Sequence, residues 1–299
     1  MGVMLNLKRN LLTLKVPELP KMLYIETTNK CNLRCVMCPR SVMKRKPGSI
    51  KFGFYKKIVD KASKEGIKWI RLHGFGEPLL HPDLVKMIEY AKRKHIQKVD
   101  FSTNAMLLNE SLAEKIIRAG LDEIQISMDG VTRETYEKIR VGAKWDTVIK
   151  NVKNFIALRN KINSKLRIKL QMIKDMSETY SEAKEFRRMW ERKVDEVSLT
   201  SLSSLPTKKV KRIRGKRSCA GIIPPTCTQP WMTLYIAYNG DVTPCCDDVN
   251  LDLKIGNIKN SSIHDLWHSE NINEIREIFR KREFQKLKPC RTCYILRGG

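Results

Sequence analysis

Short apolar runs and longer amphipathic stretches alternate along the chain from about residue 20 to about residue 200. The apolar runs are rich in β-branched residues and predict six strands: Met22–Glu26, Trp69–His73, Lys98–Ser102, Glu123–Met128, Arg167–Met172 and Glu196–Thr200. The other stretches have helical spacing and predict six helices: Phe54–Lys64, Pro82–Arg93, Ser111–Ala119, Thr132–Ile139, Trp145–Asn160 and Glu178–Arg192. This alternation is typical of an α/β fold with parallel strands and right-handed crossovers.

Six strand–helix units can form either an open barrel or a doubly wound sheet. In both architectures the functional side chains collect at the C-terminal ends of the strands. The residues that follow each predicted strand are therefore the first candidates for chemistry.

The alternation ends after Thr200. Residues 201–217 combine Ser and Pro with a dense basic run and predict a linker or an extended surface segment. The run consists of Lys208, Lys209, Lys211, Arg212, Arg214, Lys216 and Arg217. A cysteine-rich region follows at 218–299, with a predicted hairpin whose Asn239-Gly240 turn requires positive φ angles. The alternating strands and helices therefore form one predicted domain at residues 21–200.

Residues 1–20 include the basic amphipathic stretch LNLKRNLLTLKVP. Such a stretch can lie on a membrane surface. More often it packs its apolar side against a core, and we expect it to cap the bottom of the fold.

The composition is that of a globular protein, with 41% hydrophobic and 30% charged residues. No apolar run reaches the roughly 18 residues of a transmembrane helix, and no secretion signal precedes the first strand. We therefore expect a cytoplasmic location. The formal net charge of +26 favours anionic partners: nucleic acid, an anionic membrane surface or an acidic redox protein. A lysine-rich surface suited to high temperature is the alternative, and the sequence leaves both open.

The sequence contains nine cysteines, and we expect the protein to reside in a reducing compartment. There they are metal ligands or reactive thiols more often than disulfides. Cys31, Cys35 and Cys38 follow the first predicted strand in the stretch TTNKCNLRCVMC, close enough for one loop to wrap one cluster. A four-iron cluster takes four thiolates, so three leave one iron open to a ligand. A zinc knuckle is the alternative, but its fourth ligand would have to come from a distant residue.

The C-x3-C-x2-C spacing after the first strand is the signature of the radical SAM superfamily, which the chain resembles over most of residues 20–200. The resemblance implies a partial (β/α)6 TIM-like barrel, a [4Fe-4S] cluster on these cysteines and S-adenosylmethionine (SAM) at the open iron. It also implies reductive cleavage of SAM to a 5′-deoxyadenosyl radical, which abstracts hydrogen from an unactivated C–H bond.

Three further strand-end stretches resemble the SAM-binding motifs of that family. The stretch from Gly74 to Pro78 resembles the motif whose backbone binds the SAM amino group, and its glycines permit close approach of a ligand. Ser102-Thr103-Asn104 resembles the polar strand-end motif, and Ser127-Met128-Asp129-Gly130 the ribose-binding motif. Arg140 lies where related sequences place an arginine near the SAM carboxylate. The implied SAM contacts are Gly74, Phe75, Gly76, Glu77, Pro78, Ser102, Asn104, Ser127, Asp129 and Arg140.

The C-terminal cysteines resemble the start of a SPASM domain or its shortened twitch form. That resemblance implies a small α+β domain in which Cys227, Cys245, Cys290 and Cys293 bind an auxiliary [4Fe-4S] cluster. The further cysteine group of a full SPASM domain is missing, which favours one auxiliary cluster. A zinc site on the same four thiolates is the alternative.

Four residues near these motifs have no assigned role. Cys246 could replace Cys245 as a ligand or point away from the cluster. Cys219 is left over, and either thiol could donate hydrogen to a product radical or simply be packed. His73 and His81 flank the Gly74–Pro78 stretch and could line a substrate pocket or serve the structure.

Within the family, twitch-bearing relatives include aminocyclitol dehydrogenases. We therefore expect oxidation of an alcohol or a sugar or cyclitol carbon, with the auxiliary cluster as electron acceptor and a flavodoxin or ferredoxin as electron donor. Peptide or protein modification is the second hypothesis, although about twenty residues before the first strand are too few for a peptide-recognition domain. The third hypothesis is radical modification of a tRNA or phospholipid that binds to the basic run. A non-catalytic iron–sulfur carrier or sensor is the fourth.

Overall fold

A computed structural model of the chain describes residues 14–162, 165–202, 227–293 and 296. The basic run at 208–217, Cys219 and the predicted boundary at 217/218 lie outside the described residues. The strands are β1 Met22–Ile25, β2 Trp69–Arg71, β3 Lys98–Thr103, β4 Glu123–Ser127, β5 Arg167–Ile173, β6 Glu196–Thr200, β7 Thr233–Ile236, β8 Asp241–Thr243 and β9 Gly256–Asn257. The helices are α1 Phe52–Lys64, α2 Leu84–Arg93, α3 Glu110–Arg118, α4 Arg133–Ile139, α5 Trp145–Ile162, α6 Ala183–Trp190, α7 Ile263–Trp267 and α8 Glu270–Arg280.

All nine strands form one sheet in the order β6-β5-β4-β3-β2-β1-β7-β8-β9. Strands β1 to β6 are parallel to their neighbours and follow one another in chain order. Among the described residues the sheet does not close, which confirms the predicted α/β fold with a partial, TIM-like barrel of six parallel strands.

The two faces of the parallel strands differ. In β5, Ile168, Leu170 and Met172 are fully buried against the helices, while the residues between them point to the inside of the barrel. Closed barrels fill that inside with branched apolar side chains. Here it contains polar and charged side chains, because the open barrel leaves the strands' inner face bordering a cavity.

The predicted helices form within a few residues of their expected positions, with one exception. The predicted helix from Glu178 begins only at Ala183. The hydroxyl of Thr179 donates to the carbonyl oxygen of Ile173 at 2.5 Å, and its backbone N–H donates to Met176. This local turn competes with the first helical turn, as Thr side chains commonly do.

The C-terminal region continues the barrel sheet. Strand β7 pairs in parallel with β1, with Leu23 opposite Leu234, and β8 and β9 add antiparallel strands beyond it. The predicted hairpin joins β7 to β8, but only Gly240 of its turn has a positive φ, of 97°. The expectation of a positive φ at Asn239 is wrong, since one glycine there suffices for the bend.

The described part of the N-terminal segment packs against α7 and α8. The indole of Trp267 donates to the carbonyl oxygen of Pro17 at 2.7 Å, and Arg280 donates to that of Leu14 at 3.3 Å. Among the described helices, none has the length and apolar character needed to cross a membrane.

Candidate active site and metal centres

The loop after β1 carries the first three cysteines at the C-terminal end of the parallel strands. The backbone N–H of Leu33 donates to Cys31 Sγ at 3.4 Å, and that of Cys38 donates to the Cys35 carbonyl oxygen at 3.0 Å. All three thiols line one cavity of about 450 Å³. Burial raises the pKa of Cys35 to about 11, so in the metal-free protein this thiol is protonated at neutral pH.

The stretch after β2 packs against this loop through its backbone. The N–H of Glu77 donates to the Lys30 carbonyl oxygen at 2.8 Å. A Cβ atom on Gly76 would stand 2.2 Å from the Thr28 carbonyl oxygen and 2.5 Å from that of Lys30. Glycine is therefore required at position 76 for the two loops to touch.

The Glu77 carboxylate is buried beneath the stretch and joins it to the end of β3. It accepts hydrogen bonds from the Thr103 hydroxyl at 2.7 Å, the Asn104 N–H at 2.8 Å and the Leu79 N–H at 3.1 Å. Burial raises its pKa in spite of these donors. The carboxylate is thus engaged in holding the loop in place, and the backbone of the stretch remains available to a ligand.

Arg140 follows α4 and lies beside the first cysteine loop. Its guanidinium pairs with Asp129 at 2.6 Å and lies 3.9 Å from Cys35 Sγ. Burial opposes its charge, but Asp129 and Cys35 together raise the pKa of Arg140 further above its usual value. Asp129 also accepts from the Ile173 N–H at 2.8 Å, so its role here is to fix the cation in place.

The structure brings most of the expected SAM contacts to the same cavity as the three thiols. The lining residues among them are Gly74, Phe75, Gly76, Glu77, Ser102, Asn104, Ser127 and Arg140. Pro78 and Asp129 do not line it: Pro78 starts a short 3-10 turn, and Asp129 stands behind Arg140. His73 lines the cavity, whereas His81 bonds the Ile50 carbonyl oxygen at 2.8 Å, which is a structural role.

A hydrogen-bonded row of polar side chains, not predicted above, crosses the inner wall of the barrel. Arg71 donates to Gln125 at 3.2 Å, Gln125 to Gln171 at 2.5 Å, and Gln171 to Thr200 at 3.1 Å. These four residues, called the polar row below, all line the cavity. Asp100, which is not in the row, pairs with Arg71 at 2.5 Å and balances its charge. The signal was present in the sequence, as polar residues alternating with apolar ones within the strands.

A second unpredicted feature is the buried carboxylate of Glu26, immediately after β1. It forms a two-pronged ion pair with Arg45 at 2.8 Å and accepts from the Tyr235 hydroxyl at 2.6 Å. Arg45 also donates to the Val249 carbonyl oxygen at 2.8 Å. These contacts fasten the loop after β1 to the C-terminal region.

The four C-terminal cysteines of the expected auxiliary site converge. Cys227, Cys245, Cys290 and Cys293 line a second cavity of about 270 Å³. Burial raises the pKa values of Cys227 and Cys290 to about 12, and neighbouring thiols contribute to both shifts. The thiols of Cys227 and Cys290 are therefore neutral at pH 7 until a metal displaces their protons.

The adjacent thiols of Cys245 and Cys246 face different cavities. Cys245 lines the smaller cavity, and Cys246 lines the larger one beside Tyr24. The two cavities also share Pro39 and Asp247 as lining residues. The cysteine sites thus stand on either side of a common wall.

The donor sets fit iron–sulfur clusters. Three thiols beside an open cavity, and four thiols around a smaller one, are the ligand sets of a substrate-binding and a fully ligated four-iron cluster. In the described ranges, no three His, Cys, Asp or Glu side chains converge closely enough for a single metal ion.

Two family models match the chain. One, described as the radical SAM superfamily, matches residues 25–170, and the other, the SPASM iron–sulfur cluster-binding domain, matches residues 227–294. The two matches together cover more than two thirds of the chain.

Curated relatives match part of the chain. The mycofactocin maturase MftC of Mycobacterium tuberculosis (strain CDC 1551 / Oshkosh) is 32% identical over 140 residues, which are 47% of this chain and 35% of the relative. A probable GTP 3′,8-cyclase of Methanocaldococcus jannaschii is 37% identical over 140 residues, 46% of this chain and 45% of the relative. The chain therefore spans less than half the length of these relatives.

Solved structures resemble the chain over most of its length. Streptococcus suis SuiB bound to the precursor peptide SuiA has a TM-score of 0.69 and 20% identity, covering 94% of this chain and 71% of SuiB. BtrN in complex with AdoMet and 2-DOIA has a TM-score of 0.61 and 20% identity, covering 92% of this chain and 93% of BtrN. At this identity the likeness establishes a common fold.

Proposed function

Because the chain belongs to the radical SAM superfamily and carries a C-terminal SPASM domain, we propose that it abstracts hydrogen from a peptide substrate bound between two iron–sulfur clusters. The observation that carries the proposal is the common wall of the two cysteine-lined cavities, to which Pro39 and Asp247 contribute on both sides. A substrate in the larger cavity lies beside both sites.

The cofactors of this family are [4Fe-4S] clusters and SAM. In this chain Cys31, Cys35 and Cys38 would hold the first cluster, and the four C-terminal thiols the auxiliary one. When bound, these groups would supply the reductive cleavage of SAM to a 5′-deoxyadenosyl radical and an acceptor for an electron from the substrate.

The chain's own residues position the reactants and keep water away. Arg140, held by Asp129, offers a guanidinium that matches a carboxylate such as that of SAM. The Glu77 carboxylate fixes the backbone that faces the same ligand. Met37 and Leu202, which belong to a small apolar cluster, line the cavity on another side and exclude water from a reactive radical.

The polar character of the cavity supports a neutral substrate over an anionic one. Neither arginine in its lining is left for a substrate anion: Arg71 is paired with Asp100, and Arg140, held by Asp129, is the residue proposed for the SAM carboxylate. The glutamine amides of the polar row offer both donors and acceptors, as a peptide backbone does. A phosphate-bearing substrate would need unpaired cations, and none lines this cavity within the described part of the chain.

Peptide modification is also favoured by the relatives. MftC is named a maturase, and the SuiB structure contains a precursor peptide. Oxidation of a cyclitol alcohol is the second candidate, because BtrN, crystallised with 2-DOIA, matches this chain over nearly the full length of both. Hydroxyl groups also fit the donors and acceptors of the polar row.

Anaerobic reconstitution followed by reductive SAM cleavage tests the proposal. We expect about eight irons per chain, and release of 5′-deoxyadenosine with dithionite and SAM. Replacing Cys31, Cys35 and Cys38 with Ala should abolish that release. Cys290→Ala with Cys293→Ala should leave about four irons and impair substrate turnover more than SAM cleavage. Equal loss in both variants would refute the division of roles.

The same assay separates the two substrate classes. Perdeuterated cyclitols and deuterated peptides are supplied in turn, and deuterium in the released 5′-deoxyadenosine is measured by mass spectrometry. Transfer from a peptide supports the proposal, whereas transfer from a cyclitol alone overturns it in favour of the dehydrogenase.

A further inference from the structure

The segment that holds the first cysteine set is strongly and unevenly charged. Residues 27–59 contain nine lysines and arginines and no aspartate or glutamate. Two of these cations serve the structure: Arg45 pairs with Glu26, and Arg40 donates to the carbonyl oxygens of Asn29 and Leu33. Six of the others are exposed: Lys30, Arg34, Lys44, Lys46, Lys51 and Lys57. We call these six residues the basic face.

The basic face is braced against the cysteine loop. Thr28 bridges to Ser49, and Asn29 accepts the Gly48 N–H at 2.7 Å and donates to the Lys46 carbonyl oxygen at 2.9 Å. The chain after the loop therefore folds back beside it. The exposed cations and the three thiols belong to one compact unit.

The basic face also has the apolar surface that a protein contact requires. Val42 is 43% exposed between Arg40 and Lys44. A groove of about 590 Å³ lies between α1 and the β7–β8 turn, with Phe54 and Ile58 in its lining. Four lysines and no acidic residue line it, among them Lys51 and Lys57 of the basic face. Apolar surface with a charged rim is the usual anatomy of a transient interface.

We propose that the basic face is the docking surface for a small acidic one-electron carrier protein of the ferredoxin or flavodoxin class. The inference rests on the proposed function, because a reductive reaction at the cysteine loop must receive its electron from outside. One electron would leave the reduced carrier, oxidising it by one electron, and would reduce by one electron the iron–sulfur cluster that Cys31, Cys35 and Cys38 would hold, with no transfer of a proton or group. Charge complementarity steers the carrier to this face, which lies on the segment that carries the three cysteines.

The test compares two donors on one variant. Lys44→Glu, Lys46→Glu and Lys51→Glu are combined, which leaves the residues next to the cysteine ligands unchanged. The matched control combines Lys115→Glu, Lys153→Glu and Lys184→Glu, on exposed positions of α3, α5 and α6. Each substitution changes the charge by two, so both triple variants fall from +26 to +20. 5′-Deoxyadenosine release is measured with a reduced ferredoxin or flavodoxin, and separately with dithionite.

We expect the basic-face variant to raise the KM for the protein donor at least tenfold at low salt, with the dithionite-driven rate unchanged. The control should shift that KM less than twofold. Added salt should weaken the wild-type donor reaction and have little effect on the variant. Equal shifts in both variants, or no shift in either, would overturn the docking proposal.

The experiment distinguishes a failure of the docking proposal from a failure of the proposed function. If wild-type protein fails to cleave SAM even with dithionite, the proposed function fails. If dithionite works and the basic-face variant is as good as wild type with the protein donor, only the docking surface fails. Should the glutamate variant fail to load iron, the same three lysines changed to Gln give half the charge change, and a KM increase of at least threefold is then required.

Discussion

Gly76 shows how far one residue can control the site. A Cβ atom there would meet the carbonyl oxygens of Thr28 and Lys30, and both belong to the backbone of the cysteine loop. Backbone cannot rotate away as a flexible side chain can. The close contact between the two loops therefore depends on the absence of one methyl group.

We predict that Gly76→Ala displaces the first cysteine loop at a cost of about 1–3 kcal/mol of folding free energy. Iron at that site should fall while the auxiliary site still loads, so iron drops from about eight to about four per chain. Iron analysis with electron paramagnetic resonance distinguishes the two sites.

Gly53→Ala is the control. Gly53 lies in the first turn of α1 with no atom within 4 Å of an added Cβ, so alanine should stabilise the apo protein by about 0.5–1 kcal/mol. Full iron loading in Gly76→Ala would contradict the packing argument.

At the scale of single elements, α8 anchors the auxiliary site through Arg276. Its fully buried guanidinium donates to the carbonyl oxygens of Pro230 at 3.0 Å and Trp267 at 2.9 Å. Burial lowers the pKa of Arg276 to about 10, which reflects the unfavourable free energy of burying its charge. The two hydrogen bonds offset part of that free energy. Pro230 lies three residues after Cys227, and α8 leads to Cys290, so this one side chain aligns both ends of the auxiliary site.

We predict that Arg276→Met destabilises the protein by about 2–4 kcal/mol, since at least two buried carbonyl oxygens lose their donor. Auxiliary iron should be lost before iron at the first site. Arg280→Met is the matched control one turn later, where the side chain is 24% exposed and the loss should stay below about 1 kcal/mol. Similar losses from both variants, measured by denaturant unfolding, would show that burial at Arg276 is not the cause.

The local elements could be read from the sequence because their signals are local. The six parallel strands formed within one or two residues of the predicted bounds, and the strand-end motifs led to one cavity. The contacts that organise the site could not be read in the same way. Glu26 and Tyr235 are 209 residues apart, and nothing near either residue indicates their hydrogen bond. The polar row likewise needs the strand order before its members become neighbours.

At the scale of the whole molecule, the barrel and the C-terminal region have one continuous core. Strand β1 is an inner strand, paired with β2 on one side and β7 on the other. The main apolar cluster includes Leu23 of the barrel together with Leu234 and Trp267 of the C-terminal region. The Glu26–Arg45–Tyr235 contacts add a polar connection between the same two parts.

We predict that the metal-free protein unfolds in a single cooperative transition, because neither region can open without exposing the core of the other. Differential scanning calorimetry should give equal calorimetric and van't Hoff enthalpies. Two resolved transitions would mean that the β1–β7 pairing contributes little.

The β1–β7 ladder also restricts how such enzymes can be recombined. Exchanging the C-terminal region with that of a relative is an obvious route to new substrates, with 227 as the natural junction. The exchanged piece must supply β7, which lies between β1 and β8, in the register that sets Leu23 beside Leu234. A slip of one residue would turn Leu234 toward the cavity and Tyr235 away from Glu26. Chimeras should therefore be selected for that register before they are selected for the spacing of the cysteines.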